Sequence, residues 1–259
     1  MNLDDEFENK IHDWLDSQGY PLEMIVASAF KDCGFSIKQS FFYEDPEKGT
    51  TREIDVIATC EDISWSKYVS YVIECKACRD KPWILFTADN VLEGWNILFT
   101  RAMLTEVGQK MVMKVTDERG WHNPEFAWLW EKLRAGYGLT QAFTSGRDLP
   151  YEAVMSVSKA AIARKTEMDK SSGGVFDAIF PVIVIDGRLF ECFLNTECKV
   201  EIKEIDEGVF FQGRSIDGIL VPCIRLITTK TLQAFSKKAY ESAKAILEST
   251  SHIKYEAIV

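Results

Sequence analysis

Asp55 and the tripeptide Glu74-Cys75-Lys76 are the residues of this 259-residue chain whose types and spacing point most directly to chemistry. Each carboxylate interrupts a stretch that otherwise reads as buried strand, Ile-Asp-Val-Ile and Val-Ile-Glu-Cys-Lys. A charge there costs free energy unless it is paired, hydrogen-bonded or metal-bound. Period-two geometry sends Glu74 and Lys76 to one side of their strand and Cys75 to the other. If the two strands are antiparallel neighbours, both carboxylates reach one edge of the sheet with Lys76 beside them. Oxygen ligands gathered in this way suit a divalent cation.

The elements that must position these residues follow from periodicity. Leu22, Ile25, Val26, Ala29 and Phe30 recur at helical spacing behind Pro21, which predicts a helix over 21–33 stopped by Gly34. Residues 35–43 read as a strand, and residues 44–51, with Pro46 and Gly49, as a turn. A second strand over 52–60 puts Ile54, Val56 and Ala58 on one face and Glu53, Asp55, Ile57 and Thr59 on the other. The third, over 68–77, puts Val69, Tyr71, Ile73 and Cys75 opposite Ser70, Val72, Glu74 and Lys76. A helix over 151–166 follows Pro150, and an apolar strand spans 179–185. Asp186-Gly187 supplies the positive φ of a type I′ turn and predicts a hairpin returning over 188–195. Further strands run to Ile227, and a final helix over about 229–248 carries the stripe Leu232, Phe235, Ala239, Ala243, Ile246. Residues 80–149 lack a steady period and hold five of the seven tryptophans (Trp83, Trp95, Trp121, Trp128, Trp130). They read as an insertion whose tryptophans fill a satellite core or offer a partner surface.

With Asp55 as the acidic residue, Glu74-Cys75-Lys76 as E-x-K and Gly19-Tyr20-Pro21-Leu22-Glu23 as the first-helix element, the chain resembles the PD-(D/E)XK nuclease superfamily. Arg52-Glu53-Ile54-Asp55-Val56 fits as well, although Ile54 stands where proline is common. The resemblance covers residues 19–77 best. It implies an α/β fold with a restriction-endonuclease-like αβββαβ core and mixed sheet, formed by residues 19–79 and 150–195. To this core are added the insertion at 80–149 and C-terminal strands and a helix over 196–259, all in one domain.

The same resemblance implies a metal-dependent phosphodiesterase acting on nucleic acid, DNA before RNA, of a bacterial restriction or anti-phage defence type. Asp55 and Glu74, with the Cys75 carbonyl and waters, would hold Mg²⁺ or Mn²⁺, and Glu23 would complete or extend that shell. Lys76 would orient the attacking water or stabilise the developing anion. Lys230, Lys237 and Lys244, seven residues apart on the final helix, form one stripe that could meet phosphates or simply face solvent. Lys159 and Lys165 of the helix at 151–166 are further candidates for phosphate contact.

Composition narrows the alternatives. Hydrophobic residues at 46% and charged residues at 27% match an ordinary globular chain rather than a disordered one. No apolar run approaches a membrane span, and the acidic start (Asp4, Asp5, Glu6, Glu8) is unlike a secretion signal, so the expected location is the cytoplasm. Seven scattered cysteines suit reduced thiols. Cys75 and Cys78 have zinc-like spacing but no second pair, and His12, His122 and His252 are too isolated for a triad. The net charge is −10, and residues 1–80 hold 17 acidic against 8 basic residues, so the acid gathers where the candidate site lies. Such a charge makes a basic partner subunit or a homodimer a fair expectation. The rival reading is a non-catalytic scaffold that keeps the fold and binds nucleic acid or protein.

Overall fold

Two long strands carry the architecture of the chain, in a computed structural model that describes residues 3–16, 18–95, 100–119, 134–144, 146, 148–171 and 174–251. Numbered along the chain, they are β3 (Lys67–Ala88) and β6 (Phe176–Leu194). They run parallel from Lys67↔Phe176 to Cys78↔Gly187 and again from Trp83↔Leu189 to Phe86↔Cys192. β1 (Ser36–Glu44) and β2 (Thr51–Asp62) extend the sheet antiparallel from one edge of β3. β4 (Met103–Leu104), β11 (Ile224–Thr228) and β7 (Val200–Ile205) line the far edge of β6. Among the described residues the result is a mixed nine-stranded sheet with five α-helices, an α/β fold.

The second half of the sheet closes on itself. β5 (Ala135–Gln141) pairs with residues 83–88 of β3, and β8 (Glu207–Phe210) joins β5 to β11, which returns to β6. These five strands form a ring plugged by Leu85, whose side chain is fully buried. Gly136 and Gly208 make room for it: a Cβ at Gly136 would lie 2.1 Å from Leu85 Cδ1, and one at Gly208 2.8 Å from Cδ2.

Helices cover both faces. α2 (Tyr20–Cys33) and α5 (Leu232–Ser249) bury Val26, Phe30, Phe235 and Ala239 against Tyr71, Ile73 and Phe180. α3 (Glu106–Arg119) adds Met111 to that core, and α1 (Leu3–Asp16) lies ahead of α2. On the other face α4 (Leu149–Asp169) packs Val154, Val157 and Ala161 against Ile57, Val72 and Ile183. Local chemistry sets the helix ends as expected. Asp148 caps α4 by accepting the Tyr151 N–H at 3.1 Å, with Pro150 in the first turn, and Gly34 ends α2 at φ 111°.

Several expectations need correction. Asp186-Gly187 makes no hairpin; β6 runs straight through it, because its residues pair with β3 on both sides of the dipeptide. Gly187 is needed for close approach instead, since a Cβ there would meet the Cys78 carbonyl oxygen at 2.7 Å. Residues 80–149 are not all insertion: β3 continues to Ala88 and β5 lies beside it, with Trp83 fully buried in the core. Trp95 packs edge-on against Phe211, whereas Trp121, Trp128, Trp130, His122 and His252 lie outside the described residues. Ile54 does not share a face with Val56 and Ala58; it joins the core under α4 while they join the other, so strand alternation breaks at Asp55. Cys75 and Cys78 likewise face opposite cores, which removes them as a zinc pair. No helix among the described residues is long and apolar enough to cross a membrane.

Filling the ring should be costly. Gly136→Ala is expected to lower the unfolding free energy by about 1–3 kcal/mol through overpacking, and Leu85→Val in that background should recover part of the loss. Urea titration of the two variants checks this; an unchanged midpoint for Gly136→Ala would show that the ring is loosely packed.

Candidate active site

The β2–β3 ladder runs from Asp62↔Lys67 to Val56↔Ile73 and ends there. One step beyond it stand Asp55 and Glu74, so the carboxylates sit where the paired strands release their side chains. On the other side of β2 the ladder with β1 is irregular too: Ser40, between the pairs Gln39↔Val56 and Phe41↔Ile54, adopts a left-handed φ of 49°. The break in alternation at Asp55 thus lies opposite the left-handed residue of β1.

Each charged group has a fixed partner. Asp55 Oδ2 accepts the Cys75 N–H at 2.6 Å, which ties the aspartate to the middle of the tripeptide. Lys76 Nζ donates to Glu74 Oε1 at 2.5 Å, and Ser156 Oγ of α4 donates to Glu74 Oε2 at 2.8 Å. Glu74 is almost fully buried, its side chain 6% exposed against 23% for Lys76. Burial, then the neighbouring Glu74 charge, with Glu23 adding to it, pushes the Asp55 carboxyl up to about 7. The Cys75 N–H and Lys76 pull the other way without prevailing. Glu23, in the first turn of α2, is also raised, by burial and then by Glu53 and Glu74. Burial works against the Lys76 ammonium, but Glu74 and Asp55 more than offset it and its pKa rises.

The sequence-predicted constellation is therefore brought together: Glu23, Asp55, Glu74 and Lys76 act on one another electrostatically. Among the described residues, however, no three His, Cys, Asp or Glu side chains converge closely enough to hold a metal ion by themselves. The donors that suit one are the Asp55 and Glu74 carboxylates and the Cys75 carbonyl. These are hard oxygens that fit Mg²⁺ or Mn²⁺ retaining several waters rather than a closed protein cage. Burial, and after it the neighbouring carboxylates, disfavour the charged forms of Asp55 and Glu23, and a divalent cation would offset both effects.

A second network positions the first. Asp45, in the turn after β1, is fully buried and accepts from Lys159 Nζ at 3.0 and 3.1 Å, from Arg52 Nε at 2.5 Å and from the Glu47 and Lys48 N–H groups. Burial alone would raise its pKa; the hydrogen bonds from Lys159, Glu47 and Arg52 hold it at about 2. Lys159 also pairs with Glu47 at 2.7 Å. This knot fastens the β1–β2 turn to α4, one helical turn beyond Ser156, and the Tyr43 hydroxyl adds a bond to the Ser156 carbonyl at 3.3 Å. Between turn and helix lies a cleft of about 480 Å³ lined by Lys48, Arg52, Glu74, Lys76, Tyr151 and Arg214, among others.

The predicted phosphate-binding lysines fare differently. Lys159 lines the cleft but is buried and committed to Asp45 and Glu47, so its role here is structural. Lys165 is paired with Asp169. Lys230 lies before α5 rather than on it and pairs with Glu204 and Asp206, so the seven-residue stripe is reduced to Lys237 and Lys244. Those two are exposed but do not line the cleft. Sequence reasoning missed Ser156, Asp45 and Arg214. Ser156 and Lys159 are three apart on α4, a spacing that places them on one face, whereas nothing in the turn 44–51 marks Asp45 as buried.

No protein-family model matches the chain, and neither a curated protein nor a solved structure shows significant similarity to it.

The raised Asp55 pKa makes stability depend on pH in a known direction. Below about 4 the carboxyl is protonated in both folded and unfolded chains and costs nothing. Between about 4 and about 7 the unfolded chain gains from ionising while the folded one does not, so this stability is progressively lost as pH rises towards 7, above which both are ionised. Asp55→Asn, which keeps an acceptor for the Cys75 N–H, should match wild type near pH 4. In chelator above pH 7 it should be more stable, by on the order of 2 kcal/mol. Urea unfolding at both pH values measures this; a variant less stable than wild type at pH 8 would contradict the electrostatic account.

Proposed function

We propose that the chain is a metal-dependent hydrolase of nucleic-acid phosphodiester bonds, with DNA the favoured substrate. The observation that carries this reading is the grouping of Asp55, Glu74 and Lys76 at the end of one strand pair, Glu74 buried and the other two half-buried, with Glu74 and Lys76 lining a cleft that Lys48 and Arg214 also line. The element order supports it: α2, β1, β2, β3, α4 and β6 occur in the αβββαβ order of the resembled nuclease superfamily, with β4, α3 and β5 set between β3 and α4, and β3 and β6 are adjacent and parallel. A restriction or anti-phage role rests on that resemblance alone.

Mg²⁺ or Mn²⁺ held by Asp55 and Glu74 would neutralise charge on the scissile phosphate and acidify a bound water. The chain's own groups do the remainder. The Cys75 N–H holds Asp55 in place with one oxygen, Oδ1, left for a ligand. Ser156 holds Glu74 from the opposite side, so that Lys76 can swing from Glu74 towards a phosphate oxygen or the attacking water without the carboxylate collapsing. Lys76, kept charged by Glu74, then stabilises the negative charge that develops on phosphorus-bound oxygen. Lys48 and Arg214 at the rim supply cations for neighbouring phosphates.

The test is cleavage of DNA and RNA by purified protein in Mg²⁺, Mn²⁺ or chelator. Wild type should cut only with metal, Asp55→Ala should fall by about 10³-fold and Lys76→Ala by about 10²–10³-fold with the fold intact. Ser156→Ala should lose less, about 10-fold, since it removes support rather than a reacting group. Activity unchanged in chelator, or retained by Lys76→Ala, would refute the assignment.

A further inference from the structure

We infer that the cleft beside Glu74 and Lys76 admits an unpaired nucleic-acid strand, one nucleotide stacking on Tyr151 while Arg214 and Lys48 hold its phosphates. The inference rests on the hydrolase reading above and names the form of substrate that reading leaves open.

Three observations carry it. The floor is recessed: the Glu74 side chain is 6% exposed, and it is approached through a cleft of about 480 Å³ between the β1–β2 turn and α4. That volume belongs to the range of pockets that take small ligands, roughly 300–1,000 Å³, and so matches a single nucleotide. Next, the lining combines the two features of single-strand sites, cations and an exposed aromatic ring, beside the carboxylates Glu47, which pairs with Lys159, and Glu152. Tyr151 is 50% exposed at the start of α4, and Met155 lies one turn further along the same wall. Among the described residues, Lys48 and Arg214 make no side-chain ion pair, unlike Lys159 and Arg52, and both are exposed. Finally, the chain carries a net charge of −10. It is repelled less by one strand, with a phosphate about every 3.4 Å, than by a duplex with a charge about every 1.7 Å. Arg214 comes from the loop between β8 and β9 (Ser215–Ile216), so the rim is completed by a segment outside the αβββαβ elements.

Fluorescence anisotropy with labelled dT12 and with a 12-base-pair duplex, in Ca²⁺ to hold turnover back, tests this on the full chain. The single strand should bind at least about 10-fold tighter than the duplex. Tyr151→Ala should weaken dT12 binding about 10-fold, and Arg214→Glu should weaken it and flatten its salt dependence by about 0.7 in log–log slope. Both positions are exposed, so unchanged melting curves confirm that the variants fold. Equal or tighter duplex binding, no binding of either probe, or indifference to Tyr151→Ala would overturn the inference. Tight, Tyr151-dependent binding by a protein that cuts nothing in Mg²⁺ or Mn²⁺ would leave it standing and refute the hydrolase reading instead.

Discussion

Removing the Asp55 and Glu74 carboxylates from water beside each other is unfavourable, and much of the surrounding structure offsets that cost. Asp55 is compensated by a backbone N–H, Glu74 by an ammonium and a hydroxyl. The hydroxyl belongs to α4, whose position is fixed by the buried Asp45 knot with Lys159 and Arg52. The tie from the knot to the site is mechanical: the turn, the helix and the strand end hold three charged groups within reach of one another although they repel or attract strongly. A site with two hydrogen-bonded carboxylates and a raised aspartate pKa is poised to take up positive charge.

Much of this was legible in the sequence because the signals were local. A carboxylate inside an apolar strand cannot be neutral to the fold, and the period of two fixed the relation of Glu74, Cys75 and Lys76 correctly. The helix ends at Gly34 and Pro150 followed from backbone restrictions that hold in any context. The failures came where distant pairing decides the outcome. Asp186-Gly187 is a strong turn signal only when the flanking strands pair with each other; here both flanks pair with β3, and the glycine serves a close contact with Cys78. The closed ring joins β3, β5, β8, β11 and β6 from four distant parts of the chain, so periodicity in residues 80–149 could not reveal it. The first helix, α1, was missed, and the lysine stripe failed because Lys230 precedes the helix that should have aligned it.

The present geometry also bears on how such a site would work. Both Glu74 oxygens are engaged, one by Lys76 and one by Ser156, so uptake of a cation at Glu74 requires Lys76 to exchange its partner. A cation held by Asp55 and Glu74 would leave the Lys76 ammonium available for a phosphate. The Asp45 knot shows that this fold keeps a buried ion pair for structure alone, although replacing one by apolar groups is often neutral or stabilising; the Asp55, Glu74 and Lys76 group differs in its place. Retaining it at a strand end, under a cleft rather than inside a sealed core, is the feature that favours chemistry over architecture.

A crystal soaked in Mn²⁺ and measured for anomalous scattering tests the central claim most directly. The account predicts a peak between Asp55 and Glu74, within coordination distance of both and of the Cys75 carbonyl, with Lys76 displaced from Glu74. A saturating soak that leaves the Lys76–Glu74 pair closed and shows no peak at Asp55 would contradict it.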